Sequence, residues 1–264
     1  MSKLPKEHRF VDLSDYGRPA ARAIVRMLGQ TSVSSIHITV VFLVAGLLGV
    51  YAVHEGAYRS AAVLLVAKNI LDAADGEMAR ARQRPMQTGR YLDSIFDFII
   101  NLALFVVLFF VTGAPAWLLV VSFLGLEFQG TIFNYYYLVQ RKICSGDATS
   151  KINEFQRAGA FEYENERLVN VLHRIYLACY GLFDGVMLRL EESAIGAQPL
   201  PNWFMLLVSS MGLGFQILLM ALFLLFGRVE YILPFFAFYT IWGFVIIALR
   251  RAFVSGDKVV EVPG

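Results

Sequence analysis

Charge is scarce in this chain of 264 residues. Asp, Glu, Lys and Arg together make up 17% of it, against roughly 25% in soluble domains, and that shortage excludes an ordinary soluble domain. Charge of one sign is scarcer still. The net charge of +2, with basic residues placed beside apolar runs, argues against a nucleic-acid partner. Cysteine is nearly absent: Cys144 and Cys179 stand alone, with neither metal-ligand spacing nor a disulfide framework, and both are expected as free thiols. The first 30 residues are polar, so no cleavable signal peptide is expected.

What the chain has is apolar runs of membrane-spanning length, within a composition that is 57% hydrophobic. It reads as an all-α integral membrane protein with six transmembrane helices, near 36–54, 59–79, 92–112, 116–139, 203–226 and 231–250. Residues 1–34 form an N-terminal segment. Within it Ala20, Ala21, Ile24, Val25 and Leu28 share one helical face, and Arg18, Arg22 and Arg26 recur every fourth residue on another. That pattern predicts an amphipathic interfacial helix. Residues 35–255 form the membrane domain, with 140–202 as an insertion between spans four and five. The apolar stretch in that insertion carries His173, Arg174, Asp184 and Arg189, and reads as an interfacial or re-entrant segment rather than a seventh span. Lys and Arg concentrate in the N-terminal segment, the link between spans two and three, the insertion and the tail. The positive-inside rule therefore places both termini and that link in the cytoplasm.

The link and its flanks read NILDAADGEMARARQRPMQTGRYLDSIFDF. Asp72 and Asp75 are three apart at the end of span two, and Asp93 and Asp97 are four apart at the start of span three, so each pair shares a helical face. A polar turn with Pro85 and Gly89 returns the chain as a hairpin, which lets the pairs face each other. Two carboxylates about 5 Å apart repel by about 3 kcal/mol at an effective dielectric of about 20, so four together call for protonation or cations. Oxygen ligands alone, without His or Cys, favour Mg²⁺ or Mn²⁺. Two such metals suit phosphoryl transfer. Gly76 and Ala79 remove bulk beside the carboxylates, although Gly in a helix interior costs about 1 kcal/mol; Arg80, one turn on, suits phosphate oxygens. Acidic span ends are often merely solvated. The full pattern D-x2-D-G-x2-A-R-x8-G-x3-D-x3-D, however, has a chance of occurrence on the order of 10⁻⁸ at average residue frequencies.

DAADGEMARARQRPMQTGRYLDSIFD resembles the signature of the CDP-alcohol phosphotransferase (CDP-alcohol phosphatidyltransferase) family at each defining position. The resemblance covers roughly residues 15–140; the last two spans match in kind only. It implies a membrane transferase of phospholipid biosynthesis that moves a phosphatidyl or phospho-alcohol group from a CDP-linked donor to an acceptor alcohol, releasing CMP. It further implies Mg²⁺ or Mn²⁺ in a two-metal site and a homodimer. Carried over by residue, Asp72, Asp75, Asp93 and Asp97 would hold the metals and Asp97 would act as the catalytic base. Gly76, Ala79, Arg80 and Gly89 would serve the CDP moiety. One departure is visible in SSIHIT, where Ser35 stands in place of the family's Pro while Thr39 is retained. Choline- and ethanolamine-type relatives carry His-Gly-Cys before the last Asp. Here Ser94-Ile95-Phe96 precedes Asp97, which favours CDP-diacylglycerol as donor. A divalent-cation carrier is the rival from another class, and it would need a polar path through both leaflets. A scaffold without catalysis is a second rival, with no reason to keep all four aspartates.

Lesser candidates follow. Lys68, one turn before Asp72 and next to Asn69, reads as the counter-charge of Asp72, with substrate binding as the alternative. Glu127, Gln129 and Asn134 line a cavity or bond between helices. His37 reads as a packed interfacial histidine. Arg141, Lys142, Lys151 and Arg157 read chiefly as positive-inside residues, with an acceptor phosphate as the alternative. Tyr135–Tyr137 read as an aromatic belt.

Overall fold

The structure, a computed structural model, describes residues 4–144, 151–156, 159–195 and 198–254. Arg157 and the tail beyond Val254 lie outside the described residues. Nine α-helices and no strand occur among those described: α1 (Arg18–Leu28), α2 (Ser35–His54), α3 (Tyr58–Ala81), α4 (Gln87–Thr112), α5 (Ala116–Ile143), α6 (Glu166–Leu190), α7 (Asn202–Ser209), α8 (Leu213–Leu225) and α9 (Ile232–Leu249). The chain is thus an all-α membrane protein, as its composition predicts. Five segments, α2, α4, α5, α6 and a stretch containing α9, are long and apolar enough to cross a membrane. The pair α7–α8, bent by 47°, makes a sixth when taken as one broken span. Rows of apolar side chains face outward along them, such as Val40, Val44, Leu47, Leu48 and Tyr51 on α2, and Phe238, Ile241 and Phe244 on α9.

Helix α3 has the length of a span but not the composition, because Lys68, Asp72, Asp75, Glu77 and Arg80 occupy it from the middle onward. It is tolerated there by enclosure: α1, α2 and α8 pack along it. Inside a bilayer, lipid tails remove the hydrophobic drive for helix association, so close packing has to supply it. A Cβ on Gly125 of α5 would stand 2.1 Å from Thr240 Oγ1 on α9, so the two helices meet at a contact only glycine permits. The end of the bundle away from the aspartates is filled by Leu65, Leu104, Phe105, Leu224 and Phe236.

Helix α3 ends in a Schellman motif: Arg84 N–H donates to Ala79 O and Gln83 N–H to Arg80 O, both at 3.1 Å, with Gln83 left-handed at φ 52°. That stop turns the chain at the aspartates and starts α4 five residues later. At the other end Gly113, at φ 64°, caps α4.

The 140–202 insertion contains α6 as one unbroken helix. Both of its ends are tied to the aspartate-bearing end of the bundle. Near its start, Glu164 Oε1 accepts from Thr88 N–H at 2.7 Å, and His173 Nε2 bonds Glu154 O at 2.8 Å. Just beyond its last residue, Glu191 accepts from the Tyr135 and Tyr136 hydroxyls at 2.8 Å and pairs with Arg250 and Arg251. Helix α1 lies where its pattern predicts. Its apolar face is occupied by protein: Ala21 and Val25 pack on Ile38, Ala74 and Met78.

Candidate active site

The site is built on the α3–α4 hairpin. Oxygens of Asp72, Asp75 and Asp93 lie within 4.8 Å of one another. Thr39 Oγ1, on α2, donates to Asp75 Oδ2 at 2.6 Å and lies 3.0 Å from Ser35 O. Ser35 is the first residue of α2, a position where proline loses no needed N–H, so the departure from the family's proline leaves this geometry intact. Asp93 Oδ1 is buried with no hydrogen-bond donor. Three carboxylates so close repel one another by about 3 kcal/mol per pair at an effective dielectric of about 20. A bare acceptor among them marks where positive charge is missing. The donor set, oxygen throughout, fits Mg²⁺ or Mn²⁺.

Asp97 stands outside that trio. Lys68 donates to its Oδ1 and keeps a longer contact of 3.7 Å with Asp72 Oδ2. The sequence pairs Lys68 with Asp72; its nearer partner is Asp97. The reason is the hairpin, which turns Asp97 on α4 toward the face of α3 on which Lys68 lies, so that the long Lys68 side chain reaches it.

The carboxylates open into a cavity of about 360 Å³. Asp72, Asp75, Gly76, Arg80, Asp93 and Asp97 all line it, whereas Ala79 and Gly89 do not. Arg80 folds back over Gly76: a Cβ there would lie 3.3 Å from its guanidinium. Glu77, buried, draws Arg18, Arg22 and Arg80 to within 3.5–3.7 Å, holding cations of α1 and α3 beside the cavity. A further Cβ on Gly89 would meet nothing closer than 3.9 Å, so the start of α4 is open.

Three further walls close the cavity; the first was expected at Glu127 and Asn134, the other two were not foreseen. Along α5, Glu127, Thr131, Asn134, Tyr137 and Arg141 form a polar stripe facing it, with Glu127 Oε1 accepting from Asn101 at 3.0 Å. Helix α6 adds Tyr176, Tyr180 and Asp184. The N-terminal strap adds Asp12, Ser14 and Asp15, seated in the break between α7 and α8 with Leu13 N–H on Ser209 Oγ at 3.0 Å. Burial pushes the Tyr16 phenol above the usual value, against the nearby charge of Lys68. The four-residue spacing of Tyr176, Tyr180 and Asp184 was the available signal on α6; nothing in the strap's sequence marked it.

The lesser candidates separate. Glu127 and Asn134 line the cavity. Gln129 instead bonds between helices, to Phe236 O at 3.1 Å and Thr240 Oγ1 at 3.0 Å. His37 completes a capping box with Ser34 at the start of α2. Arg141 is buried at the cavity, while Lys142 and Lys151 are exposed. The aromatic belt is corrected. Tyr135 and Tyr136 are buried on Glu191, and Tyr137 stacks on Phe133 with centroids 5.5 Å apart. Helices α6, α7 and α9 enclose that part of α5, so it has no face left for lipid.

Neither a curated protein nor a solved structure matches the chain. Residues 31–161 match the family model described as CDP-alcohol phosphatidyltransferase, and this stretch contains α2, α3, α4 and α5 with all eight signature residues. The chain is a member of the CDP-alcohol phosphatidyltransferase family, a transferase of phosphorus-containing groups.

Proposed function

We propose that the chain transfers a phosphatidyl group from CDP-diacylglycerol to the hydroxyl of a small alcohol, releasing CMP, at the cytoplasmic face of a membrane. The observation that carries this reading is the convergence of Asp72, Asp75 and Asp93 within 4.8 Å on a cavity shared with Asp97 and Arg80. Asp72, Asp75 and Asp93 would hold the metals, with Asp97 as a further ligand. Two Mg²⁺ or Mn²⁺ ions, when bound, neutralise the diphosphate and the departing CMP. Arg80, laid over Gly76, pairs with phosphate oxygens; the roles of Ala79 and Gly89 toward the nucleotide rest on the family resemblance, since neither lines the cavity. Lys68 holds Asp97 Oδ1 in place, and Oδ2 accepts the proton of the acceptor hydroxyl. The acceptor oxygen bonds to the β-phosphorus as the bond to CMP breaks, and that electron pair leaves with CMP.

The carrier reading needs a path between the two ends of the bundle. Here the end beyond the cavity is packed with Leu65, Leu104 and Phe105, which supports transfer in a closed recess instead. The cytoplasmic orientation follows the distribution of Lys and Arg. Both ends of α6 tied to the site end support an interfacial helix across the cavity mouth. The homodimer implied by the family resemblance belongs to the same reading. The test is CMP release by purified protein with Mg²⁺ or Mn²⁺, comparing CDP-diacylglycerol plus an alcohol panel with CDP-choline or CDP-ethanolamine plus diacylglycerol. CMP release confined to the second pair would reverse the direction of transfer, and none with either would end the enzyme reading.

A further inference from the structure

The cavity has two chemically different sides. Arg80, Arg18 and Arg141 line it from α3, α1 and the end of α5, which suits a nucleotide's phosphates. From the α6 side come Tyr176, Tyr180 and Asp184, four residues apart on one helical face. The two tyrosine rings stack with centroids 5.2 Å apart at 29°. Their hydroxyls are both engaged: Tyr176 donates to Asp184 Oδ2 at 2.9 Å, and Tyr180 to Ser94 O at 3.0 Å. These bonds fix the rings against the start of α4, next to Asp93 and Asp97.

Asp184 is 8% exposed, and no Lys or Arg among the described residues makes an ion pair with it. Arg90 shares the cavity wall, but it is committed to Glu154 by two hydrogen bonds of 2.6 and 3.0 Å. The neighbouring acid, Glu127, has Asn101 as its partner at 3.0 Å and likewise makes no ion pair among the described residues. A buried carboxylate with a single neutral donor lacks a counter-charge. A phosphorylated acceptor would place more negative charge beside Asp184 and Glu127. An uncharged polyol would supply hydrogen bonds but leave the charge unanswered. An ammonium group answers it, and the stacked ring pair adds a cation–π attraction.

We propose that the acceptor is a small alcohol bearing an ammonium group, bound with that cation against Asp184 and the Tyr176–Tyr180 ring pair. This assignment rests on the transfer reaction proposed above. Ethanolamine and ethylene glycol, matched in size and different in charge, are offered as acceptors to the full-length protein with Mn²⁺ and CDP-diacylglycerol, alongside serine, inositol and glycerol phosphate, and CMP is read. Ethanolamine or serine should give the highest kcat/KM. Asp184→Asn should raise the KM of that acceptor about 10- to 100-fold, the range for a hydrogen bond to a charged group, with kcat and donor KM little changed. Asp184→Glu should retain the preference for ethanolamine over ethylene glycol, and unfolding curves identify any variant that fails to fold. Highest turnover with inositol or glycerol phosphate leaves the transfer reaction standing and overturns the ammonium assignment. So does an unchanged ethanolamine preference in folded Asp184→Asn. No CMP from any acceptor overturns the transfer reaction itself.

Discussion

Lys68 on α3 donates to Asp97 on α4 while remaining 3.7 Å from Asp72, one turn along its own helix. One buried ammonium thus ties both helices of the signature hairpin together, and no signature position records it. Lys68 is 1% exposed, with the Phe42 ring centroid 5.0 Å from its Nζ.

Lys68→Met should therefore be severe. Removing one partner of a buried pair leaves the other charge uncompensated, at a cost of about 3–5 kcal/mol. The expected outcome is a lower unfolding midpoint without metal, partly recovered as Mn²⁺ is added, together with loss of CMP release. A midpoint equal to wild type would show that Lys68 does not hold the hairpin.

Thr39→Val removes the hydroxyl that orients Asp75 and changes little else in volume. Loss of a hydrogen bond to a metal-ligating carboxylate typically costs about 10- to 100-fold in metal affinity. The concentration of Mn²⁺ giving half-maximal CMP release should rise by about that factor, with maximal rate at saturating metal largely kept. An unmoved metal titration would separate Asp75 from metal binding.

The aspartates were legible because their spacing on two adjoining helices is a local property, and the hairpin needs only a turn. The same holds for α1, where the alternation of Arg and apolar residues carries over to a helix that buries Ala21 and Val25. What stayed hidden is contact between distant parts of the chain. Tyr135 and Tyr136 look like belt residues until Glu191, more than 50 residues on, takes both hydroxyls. The strap at Ser14 meets the α7–α8 break only through tertiary packing. Helix α6 reads as apolar because one face is, and the polar stripe of Tyr176, Tyr180 and Asp184 acquires meaning only once α4 and α5 lie against it.

Gly214 opens the seat of the strap. A Cβ there would sit 1.9 Å from the Ser14 carbonyl oxygen, a collision with backbone that cannot rotate away. Gly214→Ala should cost about 1–3 kcal/mol, as overpacking does, and should speed amide exchange in the strap ahead of α1. Gly130→Ala is the contrast: nothing lies within 4 Å of its Cβ position, so stability should hold or rise by about 1 kcal/mol. Equal exchange in both variants would unseat the strap from that break.

Glu164 is a pH-sensitive tie between the start of α6 and the start of α4. Burial raises its carboxyl, but the backbone N–H groups of Thr88 at 2.7 Å and Phe161 at 3.1 Å outweigh that and hold it below the usual glutamate range. Because the folded value is depressed, its stabilisation is present above the unfolded value and disappears as pH falls through the folded one. The stability gap between wild type and Glu164→Gln should therefore be open near neutral pH and narrow as pH falls below the usual glutamate range, as read from denaturant midpoints. A gap that widens on acidification would contradict the assigned hydrogen bonds.

Asp97 and Asp75 should fail in different ways, and the difference tests the division of labour between base and metal ligand. Asp97→Asn keeps the size of the side chain and a partner for Lys68 through its amide oxygen, but has no carboxylate to take the acceptor's proton. Turnover should fall by at least about 100-fold, the usual contribution of a general base, while binding of the CDP-linked donor remains measurable by calorimetry. Asp75→Asn keeps the bond from Thr39 but removes a charge from the trio, so its defect should appear in the metal titration, as a higher Mn²⁺ requirement. Turnover undiminished in Asp97→Asn would reject it as the base. Donor binding lost in Asp97→Asn and kept in Asp75→Asn would exchange the two roles, since a ligand that assembles the metals is required before the diphosphate can bind.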